Sequence, residues 1–141
     1  MLGMITEDKT MEWSQDGYVI TDDKAKVDLN RVHKLLSDTY WASGRSREIV
    51  QKTIANSVCF SVLLEGVQVG FARVVTDHAV FAWIADVVIH PDHRRKGLGK
   101  MLMNCIQNHP DVPKSLQVLR TRDAHGLYEK FGFTVGEFMK K

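Results

Sequence analysis

No stretch of about 18 consecutive apolar residues occurs in the chain, so the sequence offers no membrane-spanning helix. The first residues also lack a charged head followed by an apolar core, so no export signal is read and a cytoplasmic address is expected. Cysteine is scarce. Cys59 and Cys105 are the only two, both inside apolar runs, which reads as two reduced core thiols rather than a disulfide framework. The six histidines show no metal-ligand spacing, so no metal is expected, and His90, His93, His109 and His125 read as surface or site-edge residues. A net charge of +2 is too small to imply nucleic acid by itself. Repeats, linkers and low-complexity tracts are absent. The 141 residues, 44% hydrophobic and 26% charged, are those of an ordinary globule, and one domain over 1–141 is expected. A chain of this size buries about 68–70% of its unfolded surface, enough for one sizeable core.

What is present centres on Ala85 to His109. Ala85-Asp86-Val87-Val88-Ile89-His90 is β-branched and apolar after its acid, as a buried strand should be, and Pro91-Asp92-His93 ends it. Leu98, Met101, Leu102, Cys105, Ile106 and His109 then fall at helical spacing, with Lys100, Asn104, Gln107 and Asn108 on the wet face. Between strand and helix lies Arg94-Arg95-Lys96-Gly97-Leu98-Gly99. The first N–H groups of a helix lack internal partners and sit at the positive end of its dipole, so a diphosphate placed there gains several hydrogen bonds. Gly97 and Gly99 carry no Cβ, and Arg94, Arg95, Lys96 and Lys100 add charge. The loop reads as a diphosphate cradle, or alternatively as a basic loop that only caps the helix.

Spacing separates the phosphate-binding motifs. A P-loop requires Ser or Thr after Gly-Lys, and Met101 stands there; the dinucleotide fingerprint requires a third glycine where Leu102 stands. What remains, Arg-x-x-Gly-x-Gly directly after a strand and proline, resembles the acyl-CoA-binding motif of the GNAT superfamily of N-acetyltransferases. A second stretch agrees. Thr121-Arg122-Asp123-Ala124-His125-Gly126-Leu127-Tyr128-Glu129-Lys130-Phe131-Gly132-Phe133 resembles the superfamily's C-terminal signature, an Ala followed four residues on by Tyr and then by Gly-Phe. Together the motifs span Ala85 to Phe133, about a third of the chain.

Elsewhere the reading is coarser. Residues Met1 to Thr10 are polar and expected to be loosely ordered. Tyr18–Thr21 is a short strand followed by a turn. Asp28 and Ser46 are placed to cap two helices, the first carrying Leu29, Val32, Leu35, Leu36 and Tyr40, the second Ile49, Val50, Thr53 and Ile54. Tyr40 to Arg45 between them suits a loop touching a ligand, although Trp41 reads more readily as closing the core. Val58 to Leu64 and Val67 to Val75 alternate around Glu65-Gly66 as a hairpin, with Arg73 breaking an apolar face. Val80 to Ile89 adds a third strand to this antiparallel meander. Leu116 to Arg120 follows the glycine-loop helix and therefore runs parallel to its predecessor. His125 to Lys130 is one or two helical turns, and Phe133 to Phe138 reads as a closing strand. The fold class is α/β, a mixed sheet antiparallel at its start with a central parallel pair, flanked by helices, which is the GNAT layout.

The resemblance implies acetyl transfer from acetyl-CoA to a primary amine by direct attack. It implies that backbone groups of Val87, Val88 and Ile89 pair with the pantetheine arm and the thioester oxygen, and that the diphosphate rests on N–H groups from Arg95 to Lys100. Tyr128 matches the position whose phenol acts as general acid in many relatives; with an ordinary pKa near 10 it is protonated at neutral pH. Its other reading is packing in a short helix. Thr121 stands where relatives often carry Asn on the coenzyme, and its hydroxyl could serve instead. Asp86 interrupts an apolar run and is either a general base or the structural partner of Arg73. A non-catalytic acyl-CoA-binding module stays open, as does a homodimer. A nucleic-acid partner would rest on the basic loop alone and is disfavoured.

Overall fold

A computed structural model describes residues 3–6 and 9–141. Eleven elements follow in chain order: β1 (Met4–Ile5), β2 (Met11–Gln15), β3 (Tyr18–Thr21), α1 (Leu29–Ser37), α2 (Arg47–Ala55), β4 (Val58–Leu64), β5 (Val67–Thr76), β6 (Phe81–Ile89), α3 (Leu98–Gln107), β7 (Leu116–Leu119) and α4 (His125–Glu129). The strands form one sheet in the order β1 to β7. Every neighbouring pair is antiparallel except β6 and β7, which run parallel through α3 as the crossover. The mixed sheet and its parallel pair are those expected.

The helices begin where their caps place them. Asp28 accepts from the Arg31 N–H and Ser46 from the Ile49 N–H, each satisfying one orphan donor of the first turn. Val32, Leu35 and Leu36 of α1 and Val50 and Ile54 of α2 are buried against Cys59, Phe71 and Val88 on one face of the sheet. The other face carries the larger core, in which Met101, Leu102, Cys105 and Ile106 of α3 meet Phe60, Val62, Val74, Ala82 and Ile84. Both cysteines are free and buried, and burial pushes their thiols up to about 11 for Cys59 and about 12 for Cys105, which keeps them protonated and inert.

Three expectations require correction. The first residues are not wholly irregular: Met4–Ile5 pairs with Met11–Glu12, and β2 turns into β3 through Asp16 (φ 54°) and Gly17 (φ 84°), a two-residue turn that needs left-handed backbone at both positions. Positions 1, 2, 7 and 8 of that stretch lie outside the described residues. No strand forms over Phe133 to Phe138. Those two phenylalanines stand five apart, which would put them on opposite faces of a strand; instead Phe133 packs edge-on to Tyr128 and Phe138 edge-on to Trp83, leaving Val135 86% exposed. His109 is not at the surface but buried at the end of α3. Its Nε2 meets Asp22 Oδ2 at 2.6 Å, and its Nδ1 accepts from the Asp111 N–H at 3.0 Å.

Asp22 thereby ties the end of β3 to the end of α3, and its second oxygen accepts from the Met11 N–H at 2.6 Å. Replacing Asp22 by Ala orphans a buried imidazole N–H and a backbone N–H. We expect a loss of about 2–6 kcal/mol, read by chemical denaturation, taking about 1–3 kcal/mol per unsatisfied donor.

Candidate functional site

The site begins with a fault in the strand pairing. Along β6, Ala82 and Ile84 face the α3 core and Phe81 and Trp83 the opposite side, but Val88 beyond them packs with α1 and α2. The phase reverses because the β5–β6 register shifts between Phe71 and Arg73, which face Val88 and Ala85 respectively, leaving one extra residue on β6. Asp86 sits in that bulge with φ 54°, a left-handed backbone that Asp tolerates better than most residues. Bulges re-aim side chains, and here the buried carboxylate is turned toward three donors. Arg73 Nε donates to Oδ2 at 2.6 Å, Arg45 to the same oxygen at 2.7 Å, and Trp41 Nε1 to Oδ1 at 3.0 Å. Burial, the largest single effect, would raise the Asp86 pKa, but hydrogen bonds and charge from Arg73 and Arg45 together outweigh it, so the carboxyl stays below its ordinary value. The Arg73 partnership weighed from the sequence is therefore present, widened by Arg45 and Trp41.

The second feature is an opening between parallel strands. β7 pairs with β6 from Phe81–Leu116 to Ile84–Leu119 and then stops, so beyond Ile84 only Ala85, Val88 and Ile89 have strand partners, all on the β5 side. Two adjoining cavities occupy the gap. The larger, about 960 Å³, runs past Trp41, Arg45, Asp86 and Trp83 to Tyr128. The smaller, about 600 Å³, runs from Tyr128 past Val87, Val88 and Ile89 to Arg95, Gly97 and Gly99. Tyr128, Tyr40 and Trp41 line both. Tyr128 itself is mostly buried, but its hydroxyl makes no hydrogen bond among the described residues and, since no sealed side-chain oxygen there lacks a partner, it opens to the cavity. Burial first, then the nearby Asp123 and Tyr40, push its pKa above the ordinary phenol value.

The glycine loop closes the far end of the smaller cavity. Gly97 is the N-cap of α3 at φ 77°, and no side chain caps the helix; a Cβ built at Gly97 would meet nothing within 4 Å. Met101 N–H is the first to bond back into the helix, to the Gly97 carbonyl, so the N–H groups of Leu98, Gly99 and Lys100 stand free of helical partners. Arg95 shares the left-handed backbone at φ 64°, and Lys96 is exposed beside it. Arg94 is turned back, its Nε donating to the Ile89 carbonyl at 3.1 Å, so it braces the end of β6. Leu98 is buried and offers only its backbone. Thr121 uses its hydroxyl locally, accepting from the Ala124 N–H at 2.9 Å ahead of α4.

Tyr128, Asp86, Thr121, Val87 to Ile89, Arg94, Arg95, Gly97, Leu98 and Gly99 line the two cavities, whereas Lys96 and Lys100 line neither. Tyr40, Trp41 and Arg45, from the loop read in the sequence as suited to a ligand, line the cavities too, as does Arg122. Trp41, read as a core residue, is 42% exposed and stacks edge-on with Tyr40 at 5.0 Å. Arg122 lies 3.7 Å over the Tyr40 ring. The aromatic and basic composition of Tyr40 to Arg45 was the one available signal; the reach of Arg45 across 41 residues to Asp86 left none.

A family model described as an acetyltransferase (GNAT) domain matches residues 55–135. A GNAT-family protein of Xanthomonas campestris pv. campestris superposes with a TM-score of 0.86 at 37% identity, covering 91% of this chain and 94% of that one. The uncharacterized N-acetyltransferase ycf52 of Porphyra purpurea is 26% identical over 132 residues, 89% of this chain and 76% of its own length. A GNAT family acetyltransferase of Elizabethkingia anophelis, solved with acetyl-CoA bound, shares the fold at a TM-score of 0.66 and 16% identity, covering 87% of this chain and 80% of that one.

Asp86→Asn would keep the bulge and remove the charge that holds two guanidiniums. Breaking one side of a largely buried ion pair costs about 3–5 kcal/mol, and Arg45 at 28% exposure brings the expectation to the lower end. The sign of the pH dependence follows from the depressed pKa. The Asp86 contribution is fully present above the ordinary carboxylate value and is lost as pH falls through the folded-state pKa. Denaturation between pH 7 and pH 2 should therefore show an acid loss of stability that is shallower in Asp86→Asn.

Proposed function

The chain belongs to the GNAT acetyltransferase family, and from that premise we propose that it moves an acetyl group from acetyl-CoA to a primary amine by direct attack, as a single domain spanning 1–141. One observation carries the reading. The strand edge from Ala85 to Ile89, the uncapped start of α3 and the Tyr128 hydroxyl all face one continuous opening. The acetyl-CoA-bound relative from Elizabethkingia anophelis supports the choice of donor.

The residues present suit that donor on their own chemistry. Around Gly97 a Cβ would fill open space beside three unpaired N–H groups, which is what a diphosphate lying against backbone requires. Arg95, Lys96 and Lys100 supply charge beside it, while Arg94 holds the strand end that the loop departs from. The backbone of Val87, Val88 and Ile89 lacks a second strand and is left to hydrogen-bond an extended amide-bearing arm, as an added strand would. Acetyl-CoA supplies the activated acyl group. The protein positions the amine, donates a hydrogen bond to the carbonyl oxygen from the β6 backbone, and protonates the departing sulfur.

Tyr128 is the proton donor in this reading. Its raised pKa keeps the phenol protonated through neutral and mildly alkaline pH, and among the described residues its hydroxyl makes no hydrogen bond and opens to the cavity. Asp86 is differently placed. A base must be free to take a proton, yet both Asp86 oxygens accept hydrogen bonds and its pKa is lowered, so we assign it to positioning Arg45, Arg73 and Trp41. Thr121 sets the start of α4 and thereby the place of Tyr128. The amine attacks in its neutral form, having lost its proton to water.

Two measurements test the proposal. Saturation with acetyl-CoA at about 100 times Kd should stabilise the protein by about 2.7 kcal/mol, a clear thermal shift that ATP does not reproduce. Tyr128→Phe keeps the ring and removes the donor, and should lower kcat and kcat/KM together by about 10²-fold while acetyl-CoA affinity holds. A wild-type kcat in that variant, where chemistry limits turnover, would take Tyr128 out of the mechanism.

A further inference from the structure

The larger cavity has a composition that narrows the acceptor. Building on the acetyl-transfer reading, we propose that the acceptor is a primary amine that also carries a carboxylate on an apolar body, an amino acid or close analogue. Four arginines line this cavity against two aspartates: Arg45, Arg73, Arg120 and Arg122 against Asp86 and Asp123. Their engagements are unequal. Arg73 is the more engaged, donating to Asp86 and, at 3.2 Å, to the Ser57 hydroxyl, with its side chain only 13% exposed. Arg45 meets Asp86 through one terminal nitrogen and keeps further donors. Arg122 holds its guanidinium carbon 3.7 Å over the Tyr40 ring, and neither Arg122 nor Arg120 makes an ion pair among the described residues.

An acceptor with no charge but its ammonium, or with several amines, would enter a field of its own sign. A carboxylate beside the amine reverses that, and the planar fork of a guanidinium matches a carboxylate with two parallel hydrogen bonds. The rest of the cavity is apolar. Phe81 and Trp83 turn to the sheet face away from α3, beyond the reach of α1 and α2, and together with Val75 they floor the cavity. Arg120, just past the end of β7, stands at the border between this floor and the loop leading to Tyr128. The anion and the apolar body thus have separate places, with the amine left toward the Tyr128 end.

The test uses matched acceptors that differ in the carboxylate: phenylalanine and 2-phenylethylamine, leucine and isoamylamine, lysine and cadaverine, glutamate and 4-aminobutyrate as a two-anion case. Release of free CoA is measured, with acetyl-CoA binding followed separately by thermal shift. The best acceptor should carry a carboxylate and be preferred at least tenfold in kcat/KM over its decarboxylated partner. Arg120→Gln should erase most of that preference, about tenfold, by weakening turnover of the carboxylate-bearing acceptor without weakening that of the decarboxylated amine and without changing acetyl-CoA affinity, and Arg120→Lys should restore part of it. A best acceptor without a carboxylate overturns the inference, as does a panel with no turnover by a protein that still binds acetyl-CoA. A protein that does not bind acetyl-CoA removes the acetyl-transfer reading itself, and this inference with it.

Discussion

The Asp86 carboxylate is the joint on which the site is assembled. One buried acid gathers a residue from the α1–α2 loop, a second from the start of the segment leading into α2 and a third from β5, and so fixes the position of Trp41, Arg45 and Arg73 at once. An isolated carboxylate there would be costly to bury; two guanidiniums and an indole N–H satisfy it. The side chain can reach all three only because the bulge turns it toward α1 and α2. Remove the extra residue and Val88 would change faces along with it, since a one-residue slip inverts every side chain downstream. The ion pair and the packing of α1 and α2 on Val88 therefore depend on a single backbone irregularity.

The opening between β6 and β7 has an equally plain cause. A parallel pair joined by a helix ordinarily continues as long as both strands do, but β7 has four residues and β6 has nine. After Leu119 the chain leaves the sheet, and Thr121 fastens it to the start of α4 instead. That departure carries Tyr128 into the large core on the α3 side while leaving its hydroxyl at the gap. Short β7, free β6 edge and placed phenol are one event seen from three residues.

Much of this was legible in the sequence because the signals were local. Asp28 and Ser46 announce their helices, Glu65-Gly66 announces its hairpin, and Gly97 and Gly99 follow a β-branched strand directly. The same kind of signal was present and passed over at Asp16-Gly17, where an Asp-Gly pair between Trp13 and Tyr18 marks the β2–β3 turn. Phe133 to Phe138 misled for the opposite reason: its composition suits a strand, but its two aromatics are claimed by Tyr128 and Trp83 before any ladder can form. Contacts such as Arg45 to Asp86 and His109 to Asp22 span 41 and 87 residues. Nothing in local spacing encodes them, because they follow from where the sheet brings distant segments.

Backbone strain is concentrated in the same region. Between the middle of β6 and the start of α3 three residues hold left-handed backbone: Asp86, Arg95 and Gly97. Glycine accepts this freely and Asp tolerates it, but Arg95 does so at a cost of about 1–2 kcal/mol. Elsewhere among the described residues the left-handed positions are Lys9, Asp16-Gly17, Glu65-Gly66 and His78, all in turns between antiparallel strands where they reverse the chain, and Gly132 just after α4. In the β6–α3 segment no reversal occurs, so the strain has another use. It aims the Asp86 carboxylate at its arginines and leaves the loop backbone from Arg95 onward turned outward rather than folded into a ladder. A segment held in this way needs a firm foundation on either side, and it has one: Ile84 and Val88 are packed into opposite cores, and Leu98 and Leu102 anchor the helix that follows. The rigidity of the two cores is what allows the backbone between them to remain unpaired and ready for a ligand.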